Sequence, residues 1–294
     1  MKQFYLAEIV TKDKLIHQGI FFRPKKPTKK AILWVHGLTS TFYGNVKIFD
    51  AFAEACEKER CGFVMFNNRG HDMITDIRKV NTRTPKGFDY VMGGAGYEEF
   101  KDCIYDIDAG ISFLNNQGFS EIILAGHSTG ANKVCYYAGI KHDSRVVGVI
   151  LVGPLSDRLG KDIDKRKLRR DLQTMQKLVD EGRGDDLVLG YHFFPMTPRR
   201  FLSIFSTHSA EDVFNYGDKK STLTVFSHIK KPLLIIIGEK DENLDRSVGG
   251  VLSVYKEHTM STHFASTIIP GAHHSFNGKE EEVVGTIFRW VREL

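Results

Sequence analysis

The stretch EIILAGHSTGANKVCYY, residues 121–137, carries the strongest fold signal in this chain. Its first five residues are typical of a buried strand, its last seven are typical of a helix, and GHSTG joins the two. A G-x-S-x-G pattern in this position predicts a tight turn that projects the serine hydroxyl above a sheet. Gly126 and Gly130 leave room where the helix folds back over the strand. Ser128 is therefore a candidate nucleophile.

A serine hydroxyl is a weak nucleophile at neutral pH, so the chain must supply a base and an acid that orients it. PLLIIIG at 232–238 predicts a strand buried on both faces, and two aspartates follow its carboxyl end. Asp241 is the favoured acid, since it lies on the short turn that leaves the strand. Asp245 lies deeper in the loop, where it would more typically cap a helix that starts near Ser247.

The base is expected after another strand. ASTIIP at 265–270 predicts that strand, and His273 and His274 follow it. Adjacent side chains point in different directions, so only one of the two histidines can be the base. Buried parallel strands bring their carboxyl ends to one edge of a sheet, where the histidine, the acid and Ser128 would meet.

The rest of the chain alternates predicted strands with predicted helices, which indicates an α/β fold with a mostly parallel, doubly wound sheet. A hairpin of strands comes first. The segment His71–Gly96 is long, polar and rich in glycine, and it predicts a loop near the mouth of the site. The other predicted elements are strands at 31–35, 62–67 and 145–152 and helices at 46–60, 97–117 and 280–293.

Together these features resemble the α/β-hydrolase superfamily, from about the second strand to the end of the chain. The order serine, aspartate, histidine along the chain is the order found in that superfamily. The resemblance of GAHHSF at 271–276 to the G-x-x-H-S-F turn of the superfamily implies that His274 is the base. His273 would then be a hydrogen-bonding neighbour or a solvated loop residue. In the implied triad, His274 takes the proton of Ser128 and Asp241 fixes the imidazole tautomer.

The resemblance also implies where an oxyanion would be bound. The strand at 31–35 ends in HGLTS at 36–40, which resembles the loop that supplies one oxyanion-hole amide in the superfamily. The other amide belongs to the residue after the nucleophile. The backbone N–H groups of Leu38 and Thr129 are therefore the expected oxyanion hole.

A long insertion is expected to cover the site. Residues 154–229 follow the sixth predicted strand, in the position where the superfamily inserts a cap. They are expected to form a mainly helical lid that excludes water, with an amphipathic helix at Asp164–Glu181. Residues 1–153 and 230–294 would form the α/β-hydrolase core domain.

Several side chains are candidates for the substrate pocket, each with a structural alternative. Arg69 lies in a turn that is mostly structural in the superfamily. Contact between Arg69 and the substrate is the alternative. The phenylalanines of the insertion would either line the pocket or pack the cap onto the core. The basic run KRKLRR at 165–170 predicts a solvated helix face, with attraction of anionic substrates as the alternative. The candidates are His36, Arg69, Phe193 and Phe194, with Phe201 and Phe205 further along the insertion.

Composition and charge exclude several classes of protein. The 294 residues are 41% hydrophobic and 26% charged, as in ordinary globular proteins. A net charge of +5 without a basic stripe interleaved with aromatics gives no reason to expect a nucleic-acid partner. No apolar run approaches the roughly 20 residues that cross a bilayer. Charge interrupts the first residues too early for a signal peptide, so a cytoplasmic location is expected.

Cysteine and histidine spacing imply no metal and no cofactor. The four cysteines lack C-x-x-C spacing and are expected to be reduced thiols. His71-Asp72 and His273-His274 lack the spacing of a zinc helix motif, and there is no dinucleotide loop or P-loop.

The sequence therefore predicts a serine hydrolase that cleaves small-molecule carboxylic esters of small or medium acyl groups through an acyl-enzyme on Ser128. A thioesterase or acyltransferase would share the same triad. A non-catalytic ligand-binding homologue would usually have lost a triad member. HGLT at 36–39 and GHSTG resemble segments of the fungal siderophore esterase group, which implies an ester bond and leaves small acyl and aryl-acid esters equally open. Oligomeric state and lid motion are not readable from the sequence.

Overall fold

Ten strands form one twisted sheet with helices packed on both faces in the described part of a computed structural model, residues 3–44, 46–159, 163–207, 209–217 and 221–294. The strands are β1 (Tyr5–Val10), β2 (Leu15–Phe22), β3 (Lys30–Val35), β4 (Gly62–Phe66), β5 (Thr75–Val80), β6 (Phe88–Gly93), β7 (Glu121–His127), β8 (Val146–Val152), β9 (Leu233–Gly238) and β10 (Phe264–Ile269). The helices are α1 (Val46–Glu59), α2 (Cys103–Asn116), α3 (Thr129–Lys141), α4 (Lys165–Asp180), α5 (Pro198–Phe205), α6 (Thr224–Ser227), α7 (Val248–His258) and α8 (Glu280–Val291).

The strand order is β10-β9-β8-β7-β3-β4-β2-β5-β6, with β1 paired to β2 outside this path. The six strands β3, β4 and β7–β10 run parallel to their neighbours among themselves. β2 is antiparallel to β1, β4 and β5. The predicted mostly parallel, doubly wound α/β sheet is confirmed. Its parallel part brings the carboxyl ends of β3, β7 and β9 to one edge.

The core lies in two layers, one on each face of the sheet. Leu33 and Val35 of β3 belong to the layer beneath α2, α3 and α7, whereas Ile32 and Trp34 belong to the layer beneath α1 and α8. This division follows from the alternation of side chains along a strand. Strands buried on both faces must be apolar at every position, which is why β3, β8 and β9 read as continuous hydrophobic runs.

The segment His71–Gly96 is not the predicted loop. It contains the hairpin β5–β6, which extends the sheet by pairing Leu15 and Ile16 of β2 with β5. The prediction was wrong because only Ile77 and Gly93 of the two strands are buried, so they lack the apolar run that marks a buried strand. With two additional strands before it, the insertion follows the eighth strand of the chain and not the sixth.

The segment 154–229 between β8 and β9 contains α4, α5 and the short α6. Asp164 caps α4, because its carboxylate accepts the backbone N–H groups of Arg166 and Lys167. An apolar cluster joins α4 to α5 and to the core residue Ala95; its buried members are Ala95, Met175, Phe194, Met196, Phe201, Ile204 and Phe205. Phe214 and Phe226, near the end of the segment, belong to a core layer of the sheet. No helix among the described residues is long and apolar enough to cross a membrane.

Candidate active site

Ser128 lies on the turn between β7 and α3, with φ 56° and ψ −130°. A non-glycine residue at positive φ stores roughly 1–3 kcal/mol of strain, which the surrounding structure must hold in place. A Cβ on Gly126 would overlap the carbonyl oxygen of Gly130, and a Cβ on Gly130 would overlap that of Val35. The two glycines of the motif are thus required by backbone contact.

A hydrogen-bonded chain runs from Ser128 through His274 to Asp241. The Nε2 atom of His274 lies 2.9 Å from Oγ of Ser128, and its Nδ1 atom lies 2.9 Å from Oδ2 of Asp241. Both His274 and Asp241 are buried. A carboxylate can only accept, so Nδ1 carries a proton and Nε2 of the neutral ring is left to accept from the serine hydroxyl. The structure therefore brings together the three residues that the sequence singled out.

Asp245 and His273, the alternatives for the acid and the base, lie outside this hydrogen-bonded chain. Asp245 pairs with Arg246, with its Oδ1 atom 2.9 Å from the arginine Nε. The helix α7 is capped by Ser247, whose hydroxyl accepts the N–H of Gly250, so the expectation that Asp245 would cap it is wrong. Serine is as good a cap as aspartate and directly precedes the helix. His273 is exposed, with Nδ1 3.2 Å from the Glu242 carboxylate.

Sequence reasoning missed two residues that hold the backbone of His274. The Nε2–H of His127 donates to the carbonyl oxygen of His274 across 2.8 Å. Glu242 accepts the backbone N–H of His274 across 3.0 Å. Burial and the neighbouring His274 lower the pKa of His127 to about 4, so its ring is neutral at neutral pH. His127 occupies a variable position of the motif, and its partner lies 147 residues away, so no local signal marks it.

Leu38 and Thr129, the expected oxyanion hole, both line the cavity above Ser128. Gly37 packs so closely that a Cβ there would lie 2.9 Å from Cβ of Ser128, which brings the loop after β3 against the nucleophile. Thr129 is the first residue of α3. Backbone N–H groups in the first turn have no helical acceptor, and the helix dipole favours negative charge there. This end of α3 is chemically suited to an oxyanion.

The cavity above Ser128 has a volume of about 520 Å³. Thirteen of its wall residues come from the insertion, which thus forms the side opposite the nucleophile: Leu155, Ser156, Asp157, Ile163, Asp164, Lys167, Leu168, Asp171, Tyr191, His192, Phe193, Phe201 and Phe205. Phe194 is not in the wall. Its ring packs edge to face against that of Phe193, with centroids 4.8 Å apart, and is buried in the cluster of α4 and α5, so packing explains it.

His36 does not line this cavity. Its Nδ1 atom lies 2.9 Å from the carbonyl oxygen of Gly37, and its Nε2 atom accepts the backbone N–H of Asn68. Burial and the charge of Lys133 lower the pKa of His36 to about 3. It lies in the wall of a separate cavity of about 400 Å³. Its contacts fix the loop after β3, so its expected place in the substrate pocket is corrected to a structural one.

Arg69 also serves the structure. Its guanidinium is buried, with Nη2 2.8 Å from Asp106 and Nη1 3.1 Å from Asp13. Asp106 additionally accepts the backbone N–H of Arg69 and lies 3.2 Å from Nε2 of His17. Burial raises the pKa of Asp106, but the charges of His17 and Arg69 outweigh it and hold the pKa well below its usual range. Substrate contact by Arg69 is not supported.

A buried set of charges ties the insertion to the sheet domain and was not foreseen. Arg200 of α5 pairs with Glu211 and, across 3.3 Å, with Glu98. Glu98 is also paired with Lys133 of α3, which lies 3.0 Å from the side-chain oxygen of Asn68. All four charged side chains are buried, and the two acids balance the two bases.

The basic run at 165–170 is exposed except for Leu168, as a solvated helix face should be. Only Lys167 and Leu168 of this run reach the cavity wall. The Nζ atom of Lys167 lies 2.6 Å from Asp171, so its charge is already paired. The alternative of attraction for anionic substrates gains no support.

Comparison with known proteins identifies the family of this chain and proteins that resemble it. Residues 89–292 match the family described as "Protein of unknown function (DUF1749)". A Mycoplasma genitalium protein named "Putative esterase/lipase 3" is 21% identical, over 96% of this chain and 93% of that protein. The α/β hydrolase GrgF from Penicillium sp. sh18 is 14% identical with a TM-score of 0.69, covering 99% and 98% of the two chains. The siderophore hydrolase EstB from Aspergillus fumigatus is 15% identical with a TM-score of 0.66, covering 99% and 98%.

These likenesses confirm the α/β-hydrolase fold over nearly the whole chain. They also confirm the resemblance to the fungal siderophore esterase group at the level of the fold.

Proposed function

Since the chain belongs to the DUF1749 family and has the α/β-hydrolase fold, we propose that it is a serine esterase. The substrates are carboxylic esters of small or medium acyl groups. Ser128 is the nucleophile, His274 the general base and Asp241 the residue that orients His274. One observation carries this proposal: the Ser128–His274–Asp241 chain, with both hydrogen bonds at 2.9 Å, opens onto a cavity of about 520 Å³.

In the first half-reaction, His274 accepts the hydroxyl proton through Nε2 while Oγ of Ser128 attacks the ester carbonyl carbon. The Asp241 carboxylate stabilises the imidazolium that forms. The negative oxygen of the tetrahedral intermediate is bound by the N–H groups of Leu38 and Thr129, each such donor being worth about 100- to 1000-fold in turnover. Collapse breaks the ester C–O bond, and His274 returns its proton to the departing alcohol.

In the second half-reaction, water takes the place of the alcohol. His274 accepts a proton from the water, which attacks the acyl carbonyl carbon. Collapse releases the carboxylic acid and restores the hydroxyl of Ser128. The hydrogen bonds of His127 and Glu242 to the backbone of His274 keep the ring in place through both steps.

The segment 154–229 acts in this proposal as a cap over a core domain of residues 1–153 and 230–294. The contributions of α4 and α5 to the cavity wall support this role. A cap of this kind excludes water and shapes the space for the acyl group and the alcohol. A cavity of about 520 Å³ lies within the size range of small-molecule sites.

Hydrolysis of p-nitrophenyl esters from acetate to palmitate tests the proposal. The wild type is expected to prefer short or medium chains, and Ser128→Ala is expected to lose on the order of a million-fold in turnover. Ser120→Ala is the matched control, because Ser120 is an exposed serine just before β7, at the far end of that strand. Equal rates for the wild type and Ser128→Ala, or no hydrolysis by either, would refute the esterase.

A further inference from the structure

The cavity above Ser128 has an unbalanced charge in its wall. Five carboxylate or ammonium side chains line it: Asp157, Asp164, Lys167, Asp171 and Glu242. Lys167 is the only cation of the five and is paired with Asp171 across 2.6 Å. Asp157 has neither a hydrogen bond nor an ion pair with any side chain or backbone group in the described part of the chain.

The other two acids of the wall are accounted for. Asp164 accepts two backbone N–H groups at the start of α4, 2.8 and 3.1 Å away. Glu242 accepts the backbone N–H of His274 and lies 3.2 Å from Nδ1 of His273. Their oxygens are bound within the fold, whereas Asp157 lines the cavity without such a contact among the described residues.

The described basic groups that act on Asp157 already have acidic partners. The groups that act on it electrostatically are Glu211, Arg200, His274 and Asp212. Arg200 is shared between Glu211 and Glu98, as described above, and Asp212 has its own partner in Arg158, 3.2 Å away. His274 is oriented by Asp241. Burial and the charge of Glu211 raise the pKa of Asp157 to about 7, as expected for a carboxyl group that lacks a counter-ion.

The wall of the same cavity is rich in aromatic rings, which favour a cation over an anion. Tyr191, Phe193, Phe201 and Phe205 all line the cavity. The negative face of such rings attracts ammonium groups within about 6 Å of the centroid. The Nζ atom of Lys167 already lies 5.8 Å from the centre of the Tyr191 ring. A cavity that combines a carboxylate with aromatic rings is chemically suited to an ammonium group.

We propose that the preferred esters carry a positively charged ammonium group in the acyl or the alcohol part, and that Asp157 binds this group. The inference rests on the proposed esterase function and extends it to a substrate class. Asp157 is then a specificity-determining residue, and the ammonium group supplies a counter-ion that no described residue provides. Anionic esters are disfavoured by the same uncompensated charge.

Two pairs of isosteric esters test this, one for each side of the ester bond. Methyl 6-aminohexanoate is compared with methyl heptanoate, and choline butyrate with 3,3-dimethylbutyl butyrate, by titration of the released acid at constant pH. A hydrogen bond or contact to a charged group predicts a preference of about tenfold to a hundredfold in kcat/KM for the cationic member of at least one pair. Asp157→Asn is expected to bring that ratio close to one.

Asp164→Asn is the matched control. It removes the same charge from the same cavity wall, and asparagine caps a helix as well as aspartate does. The ratio of cationic to neutral ester should survive in this variant. A ratio that falls equally in both variants would show a general effect of cavity charge and would overturn the assignment to Asp157.

The pH dependence gives an independent readout. An ionised Asp157 binds the ammonium group and a protonated one does not, so the ratio should fall as the pH decreases through about 7. Any effect of pH on the chemical step that both members of a pair share cancels in the ratio. A ratio that stays constant between pH 5.5 and 8.5 would contradict the proposal.

Failure of the inference and failure of the esterase are distinguishable. If the wild type hydrolyses neutral and cationic esters equally in both pairs, the esterase stands and the ammonium site is refuted. Better hydrolysis of methyl 6-hydroxyhexanoate than of the amine would also refute it, in favour of a neutral donor. If no ester is hydrolysed, calorimetric titration of Ser128→Ala with the same esters decides. Tighter binding of the cationic than of the neutral ester would support the site if the difference disappears in the double variant Ser128→Ala/Asp157→Asn. Equal binding of the two esters would refute it.

Discussion

Replacing Arg200 by methionine tests how the insertion is held against the sheet domain. Arg200 is a fully buried side chain on α5 and contacts two acids, Glu211 and Glu98, together with the carbonyl oxygen of Ala95. Methionine fills a similar volume without charge. The variant therefore removes the cation and leaves the packing of the neighbouring Phe201 largely in place.

The expected loss of stability follows from the partners that Glu98 and Glu211 retain when Arg200 is replaced. Glu98 retains its ion pair with Lys133. Among the described residues, Glu211 keeps the hydroxyl of Ser203, 2.9 Å away, but no base, so one buried carboxylate loses its counter-ion. Breaking a buried ion pair on one side costs about 3–5 kcal/mol of the free energy of unfolding. That is a large fraction of the roughly 5–15 kcal/mol typical of a whole domain.

The adjacent Arg199 provides the control. It pairs with Asp185 across 3.2 Å at the surface, where both side chains are more than half exposed. Such a pair contributes at most about 1 kcal/mol, so Arg199→Met should shift the urea midpoint little. The double variant Arg200→Met/Glu211→Gln should recover at least about 1 kcal/mol of the loss, since the stranded charge is gone.

Urea unfolding followed by tryptophan fluorescence measures the global transition, because Trp34 and Trp290 both lie in the core layer beneath α1 and α8. Limited proteolysis measures opening of the insertion separately. We expect Arg200→Met to be cleaved within residues 183–190 before the tryptophan signal changes. Equal urea midpoints and equal proteolysis for Arg200→Met and Arg199→Met would refute the role of the buried charges.

Two further variants probe the site. Asp241→Asn should lower kcat for p-nitrophenyl acetate by about 10⁴-fold, because an amide no longer selects the right His274 tautomer. Asp245→Asn should change kcat less than about threefold. A larger loss in Asp245→Asn than in Asp241→Asn would make Asp245 the acid. Asp157→Asn should raise the free energy of unfolding at pH 8 by about 1–4 kcal/mol and leave it unchanged at pH 4. The sign follows from a folded-state pKa of about 7 against an ordinary value of 3.8: the folded state holds the proton more tightly, so the wild type loses stability as the pH rises from 4 to 7. Urea midpoints of both proteins across this pH range measure the effect. A difference between variant and wild type that does not change with pH would contradict that pKa.

Much of the sheet could be predicted because its signals are local. Strands buried on both faces, such as β8 and β9, must be apolar throughout, and the turn at Ser128 demands two glycines at fixed spacing. The hairpin β5–β6 escaped prediction because few of its side chains are buried and it is identified only by its pairing with β2. Local signals thus identify buried elements and fail for those defined by a distant partner.

The same limit applies to charge. Lys133 and Glu98 are 35 residues apart, and Arg200 reaches Glu98 across 102 residues, so neither pair leaves a pattern in the sequence. Phe193 and Phe194 are equivalent in the sequence, yet only Phe193 lines the cavity, whereas Phe194 is buried in the cluster of α4 and α5.

Two locally unfavourable features share one cavity. Ser128 holds a backbone conformation that costs energy, and Asp157 has no counter-ion among the described residues, unlike the buried acids of the core. Both lie in the wall of the same cavity, whereas the buried acids Glu98, Glu211 and Asp106 are each paired with a base. Proteins retain such locally unfavourable features mainly where a ligand or reaction needs them. A strained nucleophile and an unpaired carboxylate in one cavity therefore point to a reaction centre with its own binding group for a cation.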